Sequence, residues 1–171
     1  MAFDIKEPPM KIRKAAANEM LALWEQHAWG NASPTAKFFA ANIHSGNADF
    51  WTIEHDDRLI AELYAFKSLE DTDYADGRTR AYLCAFRVTK EYRGQGLGSR
   101  LMEAVFSHLK DCGFTSVTIG VDETEEDNQR LYRRLGFNTK IKDCYIDPCD
   151  VDEMMKPKSC SCYWLLCKEL T

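Results

Sequence analysis

A mixed α/β fold in a single domain is predicted for this chain, on three observations. Its 171 residues, 45% of them hydrophobic, suffice for one core, since domains commonly run to about 100 to 150 residues. Apolar residues alternate in some stretches and recur every third or fourth position in others, so strands and helices are interleaved. At the centre, a strand passes through a glycine-rich turn directly into a helix. No internal repeat and no low-complexity linker interrupts this order.

The elements follow in turn. "MKIRKA" (10–15) reads as a first strand, and "NEMLALWEQ" (18–26) as a helix with Asn18 as its N-cap. "SPTAKFFAANIHSG" (33–46) reads as a second helix, capped by Ser33, with Pro34 in its first turn and Gly46 at its end. "FWTIEH" and "LIAELYAF" alternate on either side of Asp56, Asp57 and Arg58, the pattern of a β-hairpin. "RAYLCAFRV" (80–88) is apolar on both faces and is therefore predicted to be central. After the glycine turn come a helix over 97–111, a stop at Gly113 and the strand "SVTIGV" (116–121). Thr124, with Asp127 three residues on, has the spacing of a capping box and opens a helix that ends at Gly136. "KIKDCYI" and "CYWLLCKEL" are two late strands, with 147–158 read as the loop between them.

Composition excludes several classes of function. With 22 Lys+Arg against 27 Asp+Glu the net charge is -5, and no basic stripe is available to neutralise a phosphate backbone, so no nucleic-acid partner is expected. An acidic surface suits cationic or neutral small molecules. "MAFDIKEPPMKIRK" lacks the charged-then-apolar order of a leader, and no apolar run approaches the ~20 residues that span a bilayer. No membrane association and a cytoplasmic location are the expectation. Seven cysteines are spread without C-x2-C pairs, which favours reduced thiols over a metal site.

"EYRGQGLGSRL" (91–101) places Gly94, Gly96 and Gly98 at alternate positions where a helix begins. A helix N-terminus carries unpaired N–H groups and a partial positive charge, and residues without Cβ atoms let an anion approach them. The P-loop needs a Lys-Ser/Thr pair that does not follow Gly98, and the dinucleotide turn needs G-x-G-x-x-G rather than G-x-G-x-G. The run from Arg93 to Gly98 fits R/Q-x-x-G-x-G/A. It resembles the pyrophosphate-binding turn of the GNAT superfamily of N-acetyltransferases. "NQRLYRRLGF" (128–137) independently resembles the superfamily's next motif, a helix with a tyrosine that ends in G-F. Together the two cover 80–137, about a third of the chain.

The resemblance implies a GNAT-like fold: a mixed, mostly antiparallel sheet of six to seven strands flanked by about four helices and splayed between strands four and five. It also implies acetyl-CoA as the acetyl donor, with no metal expected. Pantetheine would lie in the splay, paired to the backbone of Phe86, Arg87 and Val88 like an added strand. Arg93, Gly94, Gln95, Gly96, Leu97, Gly98 and Ser99 would surround the pyrophosphate. Asn128, one turn before Tyr132 on the same helix face, is a further cofactor candidate, although the family places a small residue there and an asparagine where this chain has Glu125.

Acetyl transfer to an amine needs a deprotonated nucleophile and a stabilised leaving thiolate. Removing the proton from a lysine-like amine at pH 7 costs about 4.6 kcal/mol. Arg80 occupies the strand position where histone-acetylating members carry a glutamate. Glu62 is the candidate replacement base: alternation puts it on the face of Ile60, Tyr64 and Phe66, where a carboxylate either lines a cavity or marks an edge strand in water. Tyr132 is the candidate catalytic group on the leaving side, as a hydrogen-bond donor to the thiolate or as a packed rim of the Leu131 and Leu135 face.

The acceptor is not legible. Glu70, Asp71, Asp73 and Asp76 form an acidic run that either attracts a cationic amine or is simply solvated. Met154, Met155, Trp24, Trp29, Phe38 and Phe39 are candidate apolar contacts. The leading expectation is an N-acetyltransferase for a small-molecule amine, acting in a ternary complex. Acetylation of a protein lysine or N-terminus and a catalytically silent acyl-CoA-binding module are the alternatives, and a homodimer is compatible with the family.

Overall fold

The computed structural model describes residues 8–171. The first seven residues of the segment read above for a leader lie outside the described residues. Along the chain run β1 (Lys11–Ala15), α1 (Ala17–Glu25), α2 (Pro34–Ser45), β2 (Ala48–His55), β3 (Arg58–Phe66), β4 (Arg80–Val88), a 3-10 turn (Lys90–Tyr92), α3 (Leu97–Asp111), β5 (Ser116–Asp122), α4 (Glu126–Arg134), β6 (Thr139–Val151) and β7 (Pro157–Glu169). The strands form one seven-stranded sheet in the order β1-β2-β3-β4-β5-β7-β6. All neighbours are antiparallel except β4 and β5, which are parallel.

β4 is central, as its two apolar faces predict, and it is where the sheet opens. Only residues 80–83 pair with 116–119 of β5, although both strands continue beyond that point. The physical cause lies on the opposite edge of β4. Glu62 pairs with Arg87 and Tyr64 with Cys84, so two steps of β3 face three of β4. Ala85 absorbs the extra residue at φ 52°, a left-handed conformation that costs an alanine about 1 kcal/mol or more. A bulge of this kind bends and twists its strand, and here it carries the end of β4 away from β5.

Each face of the sheet has its own core. Leu97, Leu101, Met102, Val105 and Leu109 recur at helical spacing along one stripe of α3 and bury against Leu63, Ala65, Leu83, Val117 and Ile119. Each such side chain contributes roughly 1.5–3 kcal/mol by leaving water. On the other face, Met20, Trp24 and Phe39 of α1 and α2 cover Phe50, Tyr64, Phe66 and Tyr82.

Three local expectations need correction. Asn18 lies inside α1; Ala16 holds the N-cap position, and its N–H donates to the Glu19 carboxylate at 2.7 Å. Thr124 does not cap α4, because its hydroxyl donates instead to Asp122 Oδ1 at 2.6 Å and Glu125 occupies the cap. The loop expected over 147–158 contracts to residues 152–156, since β6 and β7 extend into it from both sides. β6 is an edge strand, so Pro148 removes no ladder hydrogen bond there, and the register slips between Asp147 and Val151 instead. Ser33, by contrast, caps α2 as expected, accepting from the Ala36 N–H at 3.1 Å, and Gly46 ends that helix at φ 83°.

Candidate functional site

Two cavities meet at the open end of β4, with Phe86 and Arg87 lining both. The first, about 620 Å³, runs from Phe86, Arg87 and Val88 past Tyr92, Arg93 and the glycine turn to Asp127, Asn128, Leu131 and Tyr132 of α4. Its donors come chiefly from the backbone. The first bond of α3 joins the Arg100 N–H to the Gly96 carbonyl, and the N–H groups of Gly94, Gln95, Gly96, Leu97, Gly98 and Ser99 have no acceptor among the described residues.

The three glycines serve different purposes. Gly94 and Gly96 adopt φ 79° and 76°, and a Cβ on either would meet nothing within 4 Å. They permit a left-handed turn that fans the N–H groups outward. Gly98 is different, because a Cβ there would stand 2.7 Å from Phe86 Cζ. Its missing side chain is space for the Phe86 ring rather than for a ligand, while its N–H remains open.

Sequence-predicted residues cluster in this groove. Arg93 Nε donates to the Val88 carbonyl at 2.8 Å, which ties the turn to the end of β4 and leaves the rest of the guanidinium without a partner among the described residues. Asn128 lines the groove, but its amide donates to Glu125 Oε2 at 2.7 Å. Tyr132 is buried against Phe137 while its hydroxyl has no partner among the described residues. Burial, with the Glu125 charge adding to it, pushes the phenol up to about 12, so the hydroxyl stays a proton-bearing donor near neutral pH.

The second cavity, about 520 Å³, lies on the other side of the same wall. Trp24, Trp29, Phe39 and Phe86 supply rings, and Glu62, Asp147, Asp150, Arg87 and Lys158 supply charge. Thr35 at the start of α2 fastens β6 across it, donating to Asp150 Oδ1 at 2.7 Å and accepting from the Val151 N–H at 3.1 Å.

Glu62 lies in the wall of this cavity, only 2% exposed, so β3 does not leave it in water. Its Oε1 accepts from Trp24 Nε1 and the Tyr64 hydroxyl, each at 3.0 Å. Its Oε2 accepts from Arg87 Nε at 3.1 Å and Nη2 at 2.8 Å. His27 Nε2 lies between the two, 2.6 Å from Arg87 Nη2 and 3.1 Å from Glu62 Oε2. Burial and the Glu62 charge push Tyr64 far above the ordinary phenol range, which keeps it a donor.

Other candidates fall outside both cavities. Asp71 and Asp73 pair with Lys142 at 2.6 and 3.0 Å, and Asp76 accepts the N–H groups of Arg78, Thr79 and Arg80, so much of the acidic run is structural. Phe38 and Met155 line a separate hollow, and Met154 is exposed. Arg80 Nε donates to Ser116 Oγ, at the closed end of the β4–β5 pair. Sequence reasoning missed His27, which lies against Arg87 and Glu62, and Asp147, Cys84 and Cys149, which line the second cavity. Its one available signal was a carboxylate inside the late segment 147–158. All seven cysteines are free.

Residues 15–137 match the model of the Acetyltransferase (GNAT) family. N-alpha-acetyltransferase 30 of Schizosaccharomyces pombe is 38% identical over 61 residues, 34% of this chain and 39% of that protein. The chain spans about two-fifths of the length of the curated relatives it first matches. Among solved structures, the ribosomal-protein-S18-alanine N-acetyltransferase from Escherichia coli superposes with a TM-score of 0.68 at 17% identity, covering 95% of each chain. A GNAT family acetyltransferase from Elizabethkingia anophelis with acetyl-CoA bound superposes with a TM-score of 0.60 at 16% identity, covering 94% of this chain and 98% of that one.

Proposed function

Because this chain belongs to the acetyltransferase (GNAT) family, we propose that it is an acetyl-CoA-dependent N-acetyltransferase of one catalytic domain, acting on a primary amine of a small molecule in the cytoplasm. Six consecutive N–H groups without acceptors among the described residues, at the start of α3, carry this reading. They form an anion cradle of the kind a pyrophosphate needs. The unpaired edge of β4 beyond Leu83 offers backbone groups to a pantetheine arm. Acetyl-CoA, bound there, supplies a thioester.

The protein's own groups then divide the work. The amine enters from the aromatic cavity and meets the thioester at the wall formed by Phe86 and Arg87. Tyr132 donates a hydrogen bond to the sulfur as charge develops on it; its raised pKa suits stabilisation rather than complete proton transfer. Glu62, expected from the sequence to be the base, has both oxygens engaged. We assign it first a positioning role, holding Arg87 and the bulge of β4; it reaches an ammonium through Oε2 only when Arg87 gives way. The seven free thiols suit a reducing compartment. Transfer to a protein α-amine is a second reading, favoured by the N-alpha-acetyltransferase among the relatives.

Calorimetric titration with acetyl-CoA tests the assignment. Asn and Asp both tolerate a left-handed φ, and the space at Gly96 is open, so Gly96→Asn and Gly96→Asp differ chiefly in charge. Wild type and Gly96→Asn are expected to bind, and Gly96→Asp to bind at least ~10-fold more weakly. Absence of binding to the wild type defeats the acetyltransferase reading.

A further inference from the structure

Three titratable groups meet in the wall of the acceptor-side cavity. Just past α1 the His27 N–H donates to the Trp24 carbonyl at 3.0 Å and the Gly30 N–H to the His27 carbonyl at 3.1 Å. This turn lays the imidazole against the Trp29 ring, centroids 4.3 Å apart, with the His27 side chain only 11% exposed. Nε2 stands 3.1 Å from Glu62 Oε2 and 2.6 Å from Arg87 Nη2. Trp24 and Tyr64 occupy the other Glu62 oxygen. Glu62 of β3 and Arg87 of β4 are thus the charged groups within hydrogen-bond reach of Nε2 among the described residues.

One nitrogen cannot serve both neighbours. A guanidinium only donates and an ionised carboxylate only accepts. A bare Nε2 accepts from Arg87 and turns its lone pair on Glu62; a protonated Nε2 donates to Glu62 and opposes Arg87. Each proton state therefore satisfies one neighbour and loosens the other. Of the two, Arg87 is the one able to move. Its side chain is 31% exposed and lines both cavities, whereas Glu62 is buried and pinned at Oε1. A proton arriving on Nε2 replaces the Arg87 cation at Glu62 Oε2 with an imidazolium.

Resting on the acetyltransferase reading above, we propose that His27 is the proton-accepting group of the reaction, reached through Glu62 Oε2, and that its protonation releases Arg87 from Glu62. The ammonium of the acceptor gives one proton to Oε2, which passes it to Nε2. The nitrogen lone pair so freed forms the C–N bond as the C–S bond breaks, the nitrogen's second proton goes to the departing thiolate, and His27 later returns its own to water. As classes, imidazoles titrate near 6.5 and carboxylates near 4.3, so an imidazole lies about two units closer to an amine than a carboxylate does. Glu62 alone is a poor final holder of the proton, and Glu62 backed by His27 is a better one.

The first test needs no acceptor: nitrogen-15 NMR of the whole protein across a pH titration. Nε2 of His27 is expected to be bare at about pH 8, and the Arg87 guanidinium signal to shift as His27 gains its proton on the way down. In His27→Gln, whose amide oxygen still accepts from Arg87, that signal should stay flat. The second test is kcat/KM against pH, by CoA release, on whichever of phenethylamine, spermidine and a peptide with a free N-terminus turns over fastest. The wild type is expected to rise as His27 loses its proton. His27→Gln should lose that ascending limb and about 100-fold in kcat, with acetyl-CoA Kd and amine KM changed less than ~3-fold. Arg87→Gln should move the limb to higher pH by about one unit, because Glu62 then faces the imidazole without a competing cation. A packing role for His27 moves neither limb. A protonated Nε2 at alkaline pH, an Arg87 signal blind to His27, or a wild-type limb in His27→Gln overturns the proposal. Failure of acetyl-CoA to bind the wild type in calorimetry removes the acetyltransferase reading itself, whereas binding with an unchanged limb removes only the role of His27.

Discussion

On the α3 side of Phe86 the cavity wall is mostly backbone with donors to spare; on the α1 side it is mostly side chain with its polar atoms already engaged. The groove around the glycine turn presents six open N–H groups and the Tyr132 hydroxyl. The cavity on the α1 side presents four rings and a Glu62 held by Trp24, Tyr64 and Arg87. A polyanion common to many enzymes is met by groups that every residue possesses. A partner particular to one enzyme is met by residues that must be chosen one at a time.

That division is tested hardest by Tyr132→Phe. The change deletes one hydroxyl that has no protein partner among the described residues, so the buried ring and its packing on Phe137 persist. Turnover is expected to fall by ~10² to 10⁴, with acetyl-CoA affinity and amine KM both nearly unchanged. Stopped-flow rates with calorimetry on the same preparation check it. Wild-type turnover removes the phenol from the chemistry and reduces Tyr132 to a rim of the core.

Glu62→Gln comes next and acts on the other half. It leaves Arg87 beside a neutral amide, and breaking a mostly buried pair costs roughly 2–3 kcal/mol of stability when one partner is partly solvated. Thermal denaturation should show a drop in Tm of several degrees, and the amine KM should rise while the acetyl-CoA Kd holds. The pH profile distinguishes the two roles. If Glu62 only positions, the Glu62→Gln variant keeps the wild-type shape of kcat/KM against pH, whereas loss of a base removes the ascending limb of that profile.

The same division explains how much was legible beforehand. The groove was readable because backbone chemistry depends on local sequence: Gly94, Gly96 and the onset of α3 lie within a few residues, and Tyr132 sits in a second local pattern. The fold class was readable for similar reasons, since alternation marks β2, β3 and β4, and Gly46, Gly113 and Gly136 each mark a stop. The acceptor-side cavity was not. Trp24, Glu62, Arg87 and Asp147 come from α1, β3, β4 and β6, and they line one cavity only in the folded chain. A pair such as Arg87 and Glu62 has no signature at a separation of 25 residues. The length of β6 was missed because an edge strand tolerates proline that a central strand does not.

The smallest expected effect bears on the link between the halves, because Phe86 lines both cavities. The sequence pattern makes Gly98 a clearance for phosphate, yet its open side faces Phe86 Cζ at 2.7 Å from a built Cβ. Gly98→Ala keeps the helical conformation and the N–H, so an anion meets the same donors. The methyl instead forces the Phe86 ring aside, and overpacking of this kind costs about 1–3 kcal/mol. Displacing the ring should alter the amine KM and the acetyl-CoA Kd together, each by a few-fold, where Tyr132→Phe alters neither and Glu62→Gln only the first. A loss confined to acetyl-CoA binding would return Gly98 to the phosphate site. A coupled change in both identifies Phe86 as the wall through which each half senses the other's occupant.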